Sequence, residues 1–419
     1  MLDSNSSQRT TALEPPGSEF DALSNVRVVR LASVPFFLVS QLQMQVEQHV
    51  VYGMDVLLVS GGGPELVRLR LEQKLRHAVI DFARPIRPWQ DLKALWRLMR
   101  LLAHERPQII HSTTPKPGLL AAIAGFVLRV PLRLHTFTGQ PWVGRRGPVR
   151  WLARAADRLI VQLNSHCYTD SMSQRQFLID EGIAPASKIS VLGAGSLAGV
   201  DMARFNLDRW PISLRDALRC EYGIEKNARV LAFVGRIARD KGIQELLLAF
   251  GRLVLDKYDC HLLLIGPLDE ECGGESFLIS TAPQAAKKIH FVGYTDQPER
   301  YLAITDLLCL PSYREGFGTV VIEAAAMGIA TVGTRIYGLS DAILDGETGV
   351  LVPPRDVDAL HEALSSLLDN PDQIARLGKA AYERARRLFD TKLLNRMVAE
   401  EYIRLLRQAG ELRKPNHDI

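Results

Sequence analysis

Short apolar runs of β-forming residues alternate with helical segments along nearly the whole chain, and the cycle runs twice. In the first half the runs are VRVVRLA (26–32), DVLLVS (55–60), QIIHS (108–112), LRLHTF (132–137), HCYTDS (166–171) and KISVLG (188–193). In the second half they are RVLAFVG (229–235), CHLLLIG (260–266), KIHFVG (288–293), DLLCLPS (306–312) and ATVGT (330–334). Strand, helix, strand at this spacing argues for parallel sheets covered by helices on both faces. The break between the cycles falls in the glycine-rich segment VLGAGSLAGVDMARF (191–205), a turn-filled crossing. The expected fold is therefore α/β, with two Rossmann-like domains facing each other across a cleft. The expected boundaries are a disordered tail over 1–24, an N-terminal domain over 25–205 and a C-terminal domain over 206–390. An amphipathic last helix, 391–419, is suited to packing back on the N-terminal domain. In open α/β sheets ligands bind at the carboxyl ends of the strands, so the loops there should carry the site.

The length of 419 residues suits two domains of ordinary size. The longest nearly uncharged apolar run, GLLAAIAGFVL (118–128), falls short of the about 20 residues that a membrane span needs. The first 24 residues are polar, include Pro15, Pro16 and Gly17 and lack the apolar stretch of a secretion signal, which points to a protein that stays in the cytosol. Five cysteines, at 167, 220, 260, 272 and 309, form no Cys-x-x-Cys pair. They read as reduced thiols with neither a metal site nor a disulfide frame.

The net charge of +4 is unevenly spread. Residues 1–205 hold 24 Lys and Arg against 16 Asp and Glu, while the remainder holds 27 against 31. Between Arg84 and Arg158 there are 14 basic residues and three acidic ones. A stripe so basic should meet an anionic partner: phosphate groups, an anionic membrane face or nucleic acid.

Two loops of the second half carry candidate chemistry. In FVGRIARDKG (233–242) a strand runs into Gly235, Arg236, Arg239 and Lys241 follow, and a helix begins after Gly242. Cations at a strand-to-helix turn suit a diphosphate, although a solvated basic loop looks the same. In SYREGFGTVVIEAAAMG (312–328) a loop with Gly316, Phe317 and Gly318 leads into a helix that should start near Thr319. Its N-terminus forms a phosphate seat. Glu315 precedes that seat and Glu323 lies inside the helix. Even on one continuous helix, eight residues at ~100° each would leave them about 80° apart, so they serve different parts of a ligand. Carboxylates accept well from hydroxyls. Two of them flanking a phosphate seat describe a nucleotide-sugar, with a sugar at one end and a ribose at the other. The bland alternative makes Glu315 a helix cap and Glu323 an ordinary helix residue, but a carboxylate among apolar neighbours is costly without a partner.

The motifs GRIARDKG, LIGPLDEE, HFVGYTD, EGFGTVVIEAAAMGIATVGT and DGETGVLVPPRD resemble, in order and spacing, those of family 4 retaining glycosyltransferases of the GT-B fold. HSTTPKPGLLAAIAG, RLHTFTGQPW and VLGAGSLAGVD resemble the subgroup that assembles bacterial capsule, exopolysaccharide and lipid-linked glycans. The resemblance implies that Arg236 and Lys241 bind the donor diphosphate. It implies that Glu315 contacts the transferred sugar and that Glu323 binds the ribose. Gly316, Phe317, Gly318 and Thr319 would offer backbone N–H groups, and His135 would face the donor sugar; its alternative is a strand histidine with satisfied bonds. The implied donor is UDP-linked, and no metal or other cofactor is required. Asp356 and Asp358 spell a metal-binding Asp-x-Asp, but their place at a helix start suits a cap.

The first loop, with Pro35, Phe36 and Phe37, departs from the glycine pair of many relatives, and the triple glycine at 61–63 reads as a plain turn. The stretch 139–160 mixes Trp142 and Trp151 with Arg145, Arg146, Arg150, Arg154 and Arg158, a composition suited to the interface of an anionic membrane. Trp142, Arg145, Arg146 and Arg150 are the expected acceptor or membrane side, for a saccharide carried on a polyprenyl diphosphate. The protein would then sit peripherally on the inner face of the cell membrane. The competing readings are a nucleotide-sugar epimerase of the same fold, a phosphorolytic enzyme with a lysine-bound pyridoxal cofactor, and a non-enzymatic module for anionic polymers. The sequence carries no nucleic-acid-binding motif.

Overall fold

The computed structural model describes residues 17–66, 75–82, 87–269 and 273–412. The chain divides into two compact units. One is Gly199–Asp390, and the other joins the described residues up to Ala198 with the chain from Thr391 onward.

The first unit holds seven strands: β1 Arg27–Leu31, β2 Asp55–Ser60, β3 Arg76–Val79, β4 Ile109–Thr113, β5 Leu132–Phe137, β6 His166–Thr169 and β7 Ile189–Val191. They lie parallel in the order β3-β2-β1-β4-β5-β6-β7. Central strands are covered on both faces, which is why β4 is buried at every position and reads as a continuous apolar and small-polar run. The helices α1 Gln43–Val51, α2 Pro88–Glu105, α3 Pro115–Val127 and α4 Gly147–Leu163 follow in chain order. On one face Leu98 and Leu102 of α2 and Leu120 and Ala124 of α3 bury Val29, Leu57, Val59 and Ile110.

The second unit repeats the plan with six strands: β8 Arg229–Val234, β9 Cys260–Ile265, β10 Ile289–Gly293, β11 Leu307–Leu310, β12 Ala330–Thr334 and β13 Gly349–Val352. Their parallel order is β10-β9-β8-β11-β12-β13. Here α5 Ile243–Leu255 follows β8, and α6 Thr319–Ala326 follows β11. In each sheet the order reverses beside the first strand: between β1 and β4, and between β8 and β11. That switch point is where a doubly wound sheet opens a crevice at its strand ends.

All eleven expected strands form. β3 and β13 were not expected, because RHAV and GVLV are four-residue edge strands whose signal is weaker than that of the buried runs. The expected disordered tail lies outside the described residues up to position 16. From Ser18 to Leu23, however, the chain is a 3-10 helix that buries Phe20 and Leu23, with Phe20 stacked on Tyr52 at 4.1 Å. Two apolar residues three apart suffice to dock that turn. Cys272 and residues 413–419 also lie outside the described residues.

The last helix, α7 Thr391–Gln408, belongs to the first unit. Val398, Ala399, Tyr402 and Leu406 share a core with Val28, Val46, Val56 and Leu58. Arg30 of β1, wholly buried, donates to the Tyr402 hydroxyl at 2.8 Å, and that hydroxyl lies 2.7 Å from Nδ1 of His111.

Candidate active site

The loops after β8 and β11 lie beside each other at the switch point of the second unit. Gly242 makes this approach possible: its φ is +68°, and a Cβ there would overlap the carbonyl oxygen of Pro311. The Tyr313 N–H completes the join by donating to the Asp240 carbonyl at 2.9 Å. Two segments distant in sequence, 74 residues apart at Lys241 and Glu315, thus form one surface.

Their charged side chains meet there. Lys241 Nζ lies 2.6 Å from Glu315 Oε1, and Ser312 Oγ donates to the same oxygen at 2.8 Å. Reading the sequence assigns Lys241 and Glu315 to different parts of a ligand; the fold pairs them directly. Arg236 is half exposed and forms ion pairs with Asp269 and, at 3.3 Å, with Asp240. Arg314 reaches Asp240 as well, at 3.2 Å. Each cation of this surface except Arg239 therefore has a carboxylate among the described residues.

The helix start expected near Thr319 forms there. α6 starts at Thr319 behind Gly318, whose φ of +87° a side chain would strain and which lies against Leu339. Gly318 offers no side chain to cap the first turn. The Phe317 side chain is buried against the ring of Phe389 at 5.2 Å, so only its backbone is turned to the loop.

Glu323 follows on the second turn of α6, half-buried. Burial pushes its pKa up to about 7; the neighbouring Arg204 opposes that rise and Glu299 adds to it. Arg204 is held by Glu299 through contacts of 3.0 and 2.8 Å. Reading the sequence missed Arg204, which lies in the segment taken only as a crossing. Glu315 and Glu323 are not an acid/base pair, since one is in the loop and the other behind the helix start.

In the first unit two of the expected site residues are buried. His135 is the fourth residue of β5, in the strand where the sequence places it. It is 1% exposed, with Nδ1 2.9 Å from Ser112 Oγ and its ring edge-on to Phe137 at 4.5 Å. Gly118 of α3 leaves room for the imidazole, which a Cβ would strike. Burial lowers the His135 pKa to about 3, so the imidazole is neutral at pH 7. The polar Thr138 and Gly139 after it suggested a site, but the strand turns the ring inward. Trp142 is likewise not on an exposed face. It is 1% exposed, donates its indole N–H to Asp157 Oδ2 at 2.6 Å and stacks on Phe177. Arg150 and Arg154 lie over its ring and pair with Glu181 at 3.6 and 2.9 Å. Arg145 and Arg146 are exposed.

The switch point of the first unit carries Ser33 and Thr114, whose hydroxyls are 2.9 Å apart. Thr114 holds φ +69°, a costly value for a threonine, and reading the sequence missed both residues. Asp356 accepts from the Ala359 N–H at 2.9 Å as a helix cap, and Asp358 pairs with Arg252.

Two doubly wound parallel sheets in one chain, one with paired charges and a glycine-led helix start at its switch point, define a double-Rossmann α/β protein. The family described as glycosyl transferases group 1 matches residues 215–384, and the glycosyl transferase 4-like domain matches residues 39–195. The capsular polysaccharide biosynthesis glycosyltransferase CapM of Staphylococcus aureus is 30% identical over 364 residues, covering 85% of this chain and 91% of CapM. The crystal structure of a glycosyltransferase from Rickettsia africae ESF-5 superposes with a TM-score of 0.75 at 19% identity, covering 91% of this chain and 99% of that one. Anabaena Alr3699/HepE in complex with UDP and glucose gives 0.74 at 18% identity, over 91% of this chain and all of that one. The chain belongs to the family 4 glycosyltransferases and has the GT-B fold.

Proposed function

We propose that this glycosyltransferase moves a hexosyl or N-acetylhexosaminyl group, with retention, from a UDP-sugar to a saccharide on a polyprenyl diphosphate during synthesis of bacterial surface polysaccharide. The observation that carries the donor reading is the Lys241–Glu315 pair lying between the α6 start and the loop of Arg236. In this reading Lys241, Arg236 and the first turn of α6, with Gly235, Gly316, Phe317, Gly318 and Thr319 supplying backbone, hold the diphosphate. Both observed contacts of Glu315 fall on Oε1, and Oε2 accepts from the sugar hydroxyls. Glu323 accepts from the ribose. UDP of HepE and the capsular role in the name of CapM support the donor and pathway chosen.

The reaction is a front-face substitution. The bond from the anomeric carbon to the phosphate oxygen breaks as the acceptor oxygen bonds on the same face. The departing phosphate takes the acceptor's proton. Lys241, Arg236 and the helix start stabilise the charge that develops on the diphosphate, the kind of electrostatic effect whose loss costs about 100- to 1,000-fold in rate. No carboxylate acts as base and no metal is needed. The acceptor falls to the first unit, where Arg145, Arg146 and Arg150 lie on its basic stripe, and the protein is peripheral on the inner face of the membrane. No helix among the described residues is long and apolar enough to cross a membrane. An epimerase would convert the UDP-sugar without acceptor. NMR of the product made from UDP-hexoses and a polyprenyl-diphosphate saccharide tests the reading. An axial donor yielding an axial linkage supports it, while sugar conversion without transfer, or inversion, overturns it.

A further inference from the structure

The first unit exposes an amphipathic face that the candidate site does not account for. Along α2, Trp89 is 84% exposed, Trp96 59% and Leu92 57%. Positions 89, 92 and 96 are spaced three and four apart, so they form one stripe. Lys93, Arg97 and Arg100 are exposed beside it, and the Arg100 guanidinium lies 5.7 Å from the Trp96 ring. The acid of the first turn, Asp91, is neutralised by Lys116 at 2.8 Å. α4 repeats the pattern: Trp151 is 68% exposed, with Val149 and Leu152 beside it and Arg145 and Arg146 just before. Both helices pack against α3, and both begin at the edge of the sheet where the strands end. A core-facing helix should keep its tryptophans inside. Large exposed apolar side chains among cations mark an interaction surface.

We propose that the N-terminal halves of α2 and α4 dock together on an anionic bilayer. Trp89, Leu92, Trp96 and Trp151 enter the interfacial layer, where amphipathic rings are favoured, and the flanking cations meet the headgroups. Charge complementarity selects the bilayer over a second copy of the chain, because two such faces would bring like charges together. The proposal rests on the reading that the acceptor is lipid-linked and adds what presents it: the strand ends of the first unit are set down at the membrane. α2 becomes the principal anchor, while Trp142, buried in the core, takes no part.

The test is flotation of the full-length protein with phosphatidylglycerol-containing vesicles and with pure phosphatidylcholine, with UDP binding and thermal melts measured on the same samples. Wild type should float only with the anionic vesicles and be released by salt. W89S/W96S should lower the partition at least tenfold. K93E/R97E should lower it further, since each cation near the surface is worth about fivefold. Both variants should melt and bind UDP as wild type does. Binding that survives W89S/W96S, or wild type that ignores both vesicle types, overturns the docking face. So does a dimer seen without vesicles and abolished by W89S/W96S. Loss of vesicle binding with intact UDP binding separates this proposal from the donor reading, which fails instead if UDP does not bind while flotation persists.

Discussion

Lys241 places its ammonium 2.6 Å from the Glu315 carboxylate, joining the loop after β8 to the loop after β11. Both side chains are mostly covered, at 21% and 15% exposure, so the pair is only partly screened by water. Glu315 neutralises the Lys241 ammonium. The pair thus holds Lys241 in place while keeping an uncompensated charge out of the crevice.

Lys241→Ala and Glu315→Ala should each cut transfer on the order of 100-fold. The double variant should lose much less than the product of the two, because the residues are in contact. Steady-state kinetics on the four proteins give the coupling. Urea melts should show that each single change costs on the order of 1 kcal/mol, less than a fully buried pair because water reaches both groups.

Donor affinity should depend on pH through Glu323. In the proposed donor mode the ribose hydroxyls bond to the Glu323 carboxylate, whose pKa burial raises to about 7. Below pH 7 the dissociation constant of UDP should rise, approaching about tenfold per unit, and above pH 8 it should level off. Titration calorimetry across pH 5.5–8.5 reads this, and Glu323→Gln should flatten the profile. The same shift has a stability sign. The folded pKa lies above the ordinary 4.5, so the contribution is fully present below pH 4.5 and is lost as pH rises through about 7.

The histidines of the first unit act in the opposite sense. Burial holds His49 and His135 at about 3, with Arg30 adding to the effect at His49. A depressed histidine contributes stability that is present above its unfolded value of 6.5 and is lost as pH falls toward 3. Melting followed by circular dichroism should therefore shift steadily downward between pH 6.5 and 4.

Gly242→Ala should separate the two donor loops. The added carbon meets the Pro311 carbonyl and the backbone is held at φ +68°, so the change should cost roughly 1–3 kcal/mol or more. Transfer should fall to a level comparable with Lys241→Ala, measured in the same assay at a temperature where the variant remains folded.

Chelation should leave transfer intact, and Asp358→Ala should be silent, because Asp358 pairs with Arg252 on a helix face. Loss of transfer in EDTA with recovery in magnesium would replace the metal-free mechanism.

Much of this architecture was legible in the residues. Buried parallel strands such as CHLLLI announce themselves because both faces are covered. The helix start at Thr319 was legible from Gly318 and the alanine-rich run that follows. What was not legible has a common physical origin, since a sequence does not show which way a polar or aromatic side chain points. His135 and Trp142 sit in polar, basic surroundings along the chain, yet the strand and the Asp157 contact turn them inward. Trp89 and Trp96 do the reverse, standing outside their helix. The Lys241–Glu315 and Arg204–Glu299 contacts bridge 74 and 95 residues, separations at which only the fold decides who meets whom.

The central claim is that the crevice of Gly199–Asp390 holds a UDP-sugar between Lys241, Glu315 and Glu323. Calorimetric titration of a UDP-hexose into wild type, Lys241→Ala and Glu323→Ala tests it most directly. The account predicts saturable binding to wild type and at least tenfold weaker binding to both variants, each still folded by its melting curve. Equal affinity in all three proteins, or a wild type that binds a GDP-sugar and not a UDP-sugar, would contradict it.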